Sequence, residues 1–205
     1  MTNQISRRKS LQLLASAFAL PLGGCATWIR PGDVGTGVLS GRVLVEWVGE
    51  DKFVYRATNN PLRFRPSFMN EDIVPKDMYT DGGSIPRVFW AIPGLSPWGL
   101  GPAYIIHDWL FQIHRCQSSE VGTNLTFRQS ALVLAEVGKA LIASGLIDHN
   151  MLDQIVWGVS TRYAKDLWDK PKTPAECEPP PPLTTYLRKG ISNTVVDFVI
   201  PGPNE

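Results

Sequence analysis

A chain of 205 residues with 43% apolar content is long enough to bury one sizeable core. Its 20 Lys and Arg stand against 19 Asp and Glu, a formal net charge of +1, so it lacks the basic bias by which nucleic-acid binders are recognised. Three cysteines, with no CxxC pair and no Cys/His cluster at zinc spacing, exclude the common structural zinc sites.

The first 24 residues have the layout of a signal peptide. Arg7, Arg8 and Lys9 come first, and no acid precedes Cys25. The apolar run Leu11 to Leu22 is interrupted only by Gln12, Ser16 and Pro21. It falls short of the ~20 residues a membrane-spanning helix needs, and suits the apolar region of an export signal. Ser6-Arg7-Arg8-Lys9-Ser10-Leu11-Gln12 resembles the twin-arginine export consensus, with Ser10 where Phe is commoner. Leu22-Gly23-Gly24-Cys25 resembles a lipobox. The resemblance implies a protein that folds before export and is cleaved ahead of Cys25, which then carries the diacyl (palmitate-type) anchor as the first mature residue. Ala26, rather than aspartate, after the cysteine implies the periplasmic face of the outer membrane if the source is Gram-negative. The alternatives are an uncleaved anchor, or a plain secretory signal with a chance cysteine. Removing Arg7, Arg8 and Lys9 leaves 17 bases against 19 acids, so proximity to a membrane would come from the lipid and not from a basic surface.

Beyond the signal, residues 25–40 read as a tether, 41–170 as a single α+β domain, and 171–205 as a Pro-rich linker and C-terminal tail. The domain opens with strand-like alternation. Val43, Val45 and Trp47 alternate with Arg42, Leu44 and Glu46; Phe53 and Tyr55 follow a turn at residues 49–52; Leu62–Arg65 and Ile73–Pro75 add short runs. A small antiparallel sheet is expected, followed by three helices. The first has Pro102 at its start and a core stripe of Ala103, Ile106, Leu110 and Ile113. The second is capped by a Thr126/Gln129 box and stops near Ser144–Gly145. The third follows Asp148 with the stripe Leu152, Ile155, Val159, Tyr163 and Leu167. Pro171, Pro174 and Pro179–Pro182 point to an extended linker, and Thr194–Ile200 to a returning strand. Cys116 and Cys177 are free to pair in an oxidising envelope, but sequence alone leaves open whether they come within the ~4.4–6.8 Å Cα separation a disulfide needs.

The chemistry-bearing residues lie between Tyr79 and Arg115. Thr80-Asp81-Gly82-Gly83-Ser84-Ile85-Pro86-Arg87 is followed by Pro97-Trp98-Gly99 and then by His107-Asp108-Trp109-Leu110-Phe111. Their order and spacing resemble the bacterial and phage family catalogued as domain of unknown function 1353, over roughly residues 40–168, with Phe111 where tyrosine is usual. A looser resemblance is to prokaryotic phospholipases A2, which carry an Asp-Gly-Cys-Ser loop and a His-Asp helix. Gly83 and Leu110 stand where that family has cysteine, and Phe111 where it has tyrosine. This second resemblance implies His107 as the base that activates water, with Asp108 beside it. It also implies a calcium ion held by Asp108, Asp81 and loop carbonyls near Gly82 and Gly83, the hard oxygen donors calcium prefers. Such a dyad needs a carboxylate to orient the imidazole. The second helix has no aspartate: Ser130-Ala131 stands where the family often has Ala-Asp, Glu136 is its one acid, and Asp148 and Asp153 lie just beyond. A purely structural account competes with this, in which Asp81–Ser84 is a tight turn and His107-Asp108 a buried polar pair.

Other constellations are weaker. His114 lies seven residues from His107, ~10.5 Å along a helix, too far to share an ion. It and His149 read as solvated or capping residues. Gly82-Gly83-Ser84-Ile85-Pro86 lacks the second glycine of a hydrolase elbow. Three functions follow: an envelope-anchored, calcium-assisted hydrolase of phospholipid or another acyl ester; a non-catalytic envelope module, with phage ancestry open; and a cell-wall hydrolase, favoured by location alone. The sequence points to the membrane as a partner, through the lipid, and to no particular protein.

Overall fold

The computed structural model describes residues 26–49, 52–80, 100–147, 152–188 and 193–202. Five antiparallel strands form one sheet: β1 (Val38–Trp47), β2 (Phe53–Tyr55), β3 (Arg63–Arg65), β4 (Met78–Thr80) and β5 (Asn193–Ile200). The long β1 is its spine. Residues 38–40 pair with β3, 45–47 with β2, and 41–47 with β5, so β2 and β5 lie on opposite edges of β1. β4 extends the sheet beyond β2. Leu39, Val43 and Val45 face the core, as the alternation predicts. Glu46, expected on the polar face, is instead buried. A register irregularity falls between Val45 and Glu46, and the far face is covered there by a second small cluster of Val48, Val54 and Tyr186.

Six helices follow: α1 (Gly101–Arg115), α2 (Phe127–Ala143), α3 (Leu152–Val159), α4 (Arg162–Asp169), α5 (Pro174–Cys177) and α6 (Leu183–Arg188). The α+β class, with the sheet first and helices after it, is as expected. α1 is buried almost all round, including Tyr104, Ile105, His107, Trp109 and Phe111 outside the expected stripe. A helix apolar on every side is one enclosed by its neighbours. α2 begins with the expected capping box: Thr126 Oγ1 accepts from the Gln129 N–H, and Gln129 Oε1 accepts from the Thr126 N–H at 2.9 Å.

Four expectations are corrected. The third helix breaks into two at Ser160-Thr161, where both hydroxyls donate back to carbonyls of α3 and the Thr161 hydroxyl also accepts from the Ala164 N–H to cap α4. Tyr163 is therefore exposed, not part of a core stripe. Ile73 contributes only an isolated bridge to Phe64, and the strand forms at Met78–Thr80. The Pro-rich segment is not simply extended: Pro174 occupies the first turn of α5, where its missing N–H costs nothing.

Residues 26–37, expected as a tether, run as a packed strap. The Ala26 and Thr27 N–H groups donate to the Ser160 carbonyl at 2.9 and 3.4 Å. Ile29 and Pro31 are buried, the latter in a single 3₁₀ turn. Further on, Lys139 Nζ donates to the Val34 carbonyl, and Gly35 passes so close to Ser67 that a Cβ would sit 2.2 Å from its hydroxyl.

Candidate functional site

β4 ends at Thr80, the first residue of the first motif, and α1 carries the second. The two meet directly: Thr80 Oγ1 donates to Asp108 Oδ2 at 2.7 Å. Sequence proximity gives no hint of this contact, since 28 residues separate the partners. Asp81, Gly82, Gly83 and Ser84 lie outside the described residues, as do Cys25, Asp148 and His149.

His107 points the other way. It is 0% exposed, and neither ring nitrogen has a hydrogen-bond partner among the described residues. Its ring lies against Phe111, with centroids 4.7 Å apart and planes tilted by 40°. Burial drives its pKa down from 6.5 to about 3, because no charge or hydrogen bond compensates the imidazolium for lost water. His107 is thus neutral at pH 7. The partial burial expected from its place beside Ile106 is corrected to complete burial, because α1 packs on more sides than its stripe indicates. One turn earlier, the Tyr104 hydroxyl is likewise buried and without a hydrogen-bond partner among the described residues, and its pKa is raised by burial and then by the negative charge of Asp108.

Phe111 belongs to an aromatic cluster. Trp168 of α4 meets it edge-on at 4.9 Å, and Phe127 lies 6.5 Å away. Phenylalanine at a position where the resembled families carry tyrosine is physically sensible here, because a hydroxyl in that cluster would need a partner. His114, expected to be solvated or capping, stacks flat on the same Trp168 at 3.9 Å and 17°.

The acid of the second helix is committed elsewhere. Glu136, 2% exposed, accepts from the Ser67 N–H at 2.7 Å and from its hydroxyl at 2.6 Å, clamping the turn after β3. At the position where the family often has aspartate, Ala131 is fully buried. No carboxylate of the described residues hydrogen-bonds His107. Among those residues no group of three or more His, Cys, Asp or Glu side chains is arranged to hold a metal.

Cys116, at the C-cap of α1, and Cys177, at the end of α5, form a disulfide with Cα atoms 5.8 Å apart. It fastens the Pro-rich segment to α1, where Arg115 Nε also donates to the Lys170 carbonyl at 2.7 Å. A second fastening escaped the sequence reading altogether. The Arg56 guanidinium, 6% exposed, donates to Glu46 Oε2 at 2.9 Å, Asp77 Oδ2 at 2.8 Å and the Pro181 carbonyl at 3.0 Å. It also lies over the Tyr186 ring. The signal was present as an unusual arginine after a strand, but its partners are 10, 21 and 125 residues distant.

The motifs of the central segment point to a class of proteins defined by sequence family and not by a known reaction. A family model described as "Protein of unknown function (DUF1353)" matches residues 57–143. That stretch, from just after Arg56 to the end of α2, matches the family whose motifs the sequence carries. Comparison with curated proteins and with solved structures gives no match.

Proposed function

We propose that the protein is an exported, lipid-anchored module of the cell envelope whose His-Asp helix serves the fold and not a reaction. The observation that carries the second half of this reading is His107: fully buried against Phe111, held neutral by burial, and without a carboxylate among the described residues to orient it. A general base must reach the proton it abstracts, and this imidazole has no exposed edge. The first half is supported by the Arg7-Arg8 signal and the Leu22–Cys25 lipobox, and by a Cys116–Cys177 disulfide of the kind that persists in oxidising compartments. Among the described residues no helix is long and apolar enough to cross a membrane.

The runner-up is the calcium-assisted hydrolase of phospholipid or another acyl ester. One observation favours it: the Thr80–Asp108 hydrogen bond brings the start of the first motif onto the second. An ester-release assay on phospholipid vesicles, with calcium or with chelator, tests the choice. The module predicts no release above background in wild type or in His107→Leu. Calcium-dependent release that is lost in His107→Leu would establish the hydrolase. Attachment is tested separately by palmitate labelling of the wild type against Cys25→Ser, with label expected only in the wild type.

A further inference from the structure

The strap determines how a lipid at Cys25 would hold the domain. We infer that the α3–α4 junction and the Trp28 end of the strap form a bilayer-docking face, on which the domain lies flush instead of swinging on a tether. This rests on the proposed lipidation of Cys25.

The argument begins from covalent geometry. Successive Cα atoms are ~3.8 Å apart, so the residue before Ala26 starts where Ala26 is held. Ala26 is held at the Ser160 carbonyl, between α3 and α4, and Thr27 shares that acceptor. The next residues give no slack: Ile29 and Pro31 are buried, and Val34 is tied to Lys139 of α2. The strap enters β1 at Val38 without a free stretch among its described residues. A lipid attached just ahead of Ala26 would therefore join the domain where Ala26 is held.

The surface around that point suits a bilayer interface. Trp28 is 64% exposed and Tyr163, three residues beyond Ser160, is 56% exposed. Trp28 and Trp157 line one groove of about 450 Å³ that also contains Ser160. Exposed tryptophan and tyrosine beside an acyl anchor match the amphipathic aromatics that settle at headgroup level. Charge adds little, since Arg30 and Arg162 are exposed nearby but so are Asp33 and Asp153. The docking is thus aromatic in origin and should persist on zwitterionic lipid. Two acyl chains on one cysteine supply stable attachment, and the packed aromatic face would add a second contact that sets orientation.

The test uses the full lipidated protein, purified and reconstituted into phosphatidylcholine vesicles with brominated acyl chains, which quench tryptophans at the membrane. Mass analysis and vesicle co-flotation report lipidation and attachment independently of quenching. The wild type should be quenched, and Trp28→Phe should lose the larger part of that quenching while co-floating normally. A ten-residue Gly/Ser insertion between Ala26 and Thr27, with a reach of roughly 16–19 Å, should keep lipidation and co-flotation but abolish most of the quenching. A lipidated, co-floating wild type whose quenching is unaffected by Trp28→Phe or by the insertion would overturn the docking face and leave the anchor standing. An unlipidated chain would overturn both.

Discussion

Burial of His107 makes a quantitative statement about acid stability. The folded imidazole titrates at about 3 and the unfolded one near 6.5, because burial without a partner disfavours the charged form. Between those values the unfolded state binds up to one more proton than the folded state. Stability is therefore lost as the pH falls below about 6.5, with a limiting slope of ~1.4 kcal/mol per pH unit. From pH 7 to pH 5 the loss from this one group is about 2 kcal/mol, or roughly 4–8 °C in melting temperature for a domain of this size. Replacing the ring by leucine removes the titration together with two buried nitrogens that have no hydrogen-bond partner among the described residues. At pH 7 His107→Leu should be neutral or mildly stabilising, since an unsatisfied buried polar group costs ~1–3 kcal/mol and leucine fills much of the same space. Thermal unfolding of the mature chain, followed by circular dichroism at pH 7, 6 and 5 with the disulfide intact, measures both effects. The wild type should fall by that extra margin across the series. Parallel pH profiles for wild type and His107→Leu would refute the reasoning, because they would mean that the native imidazole reaches water or a partner.

Three further substitutions probe the interactions that hold the frame. Arg56→Met leaves Glu46 buried and uncompensated and should cost ~3–5 kcal/mol in urea unfolding, whereas adding Glu46→Leu should recover much of that loss. Cys116→Ser should cost about 4 kcal/mol on the chain-entropy account of a bridge spanning 61 residues, with hydrogen exchange rising first in residues 171–188. Gly41→Ala should lower the denaturation midpoint by more than the ~1–3 kcal/mol of a left-handed non-glycine residue alone. Gly41 has φ of +102°, and a Cβ there would meet the Pro61 carbonyl oxygen at 2.1 Å.

The parts of the fold legible in the sequence are those whose two faces differ. β1 alternates because only one face meets the main core, and α2 has both an apolar side and an explicit capping box. α1 is less legible for the opposite reason: with neighbours on nearly every side, its stripe understates what is buried. The α3–α4 break is invisible to periodicity, because Leu152, Ile155 and Val159 keep a helical spacing up to Ser160-Thr161, where local hydroxyl bonds take over. The strap and the Arg56 network depend on contacts between distant segments. No local pattern encodes that Arg56 will reach Pro181, or that Ala26 will reach Ser160.

The same distinction governs the His-Asp pair. Residue types and spacing identify the family, and the family match covers them. Their chemistry depends on direction, which the sequence leaves open. Neighbours on a helix differ by ~100°, so when α1 is enclosed on most sides one residue of the pair can meet a polar segment and the other the core. Asp108 receives the hydroxyl of Thr80 at 2.7 Å, whereas His107 receives the ring of Phe111 and no hydrogen bond among the described residues. Glu136, the one acid of α2, is already engaged by both donors of Ser67. For that helix to orient the imidazole, Glu136 would have to abandon Ser67, or Ala131 would have to be replaced by an acid. Ala131→Asp is therefore the substitution that would bring the chain nearest to the hydrolase pattern. Ala131 is fully buried, so the carboxylate would be stable there only if it paired with His107, raising the folded pKa of the imidazole from about 3.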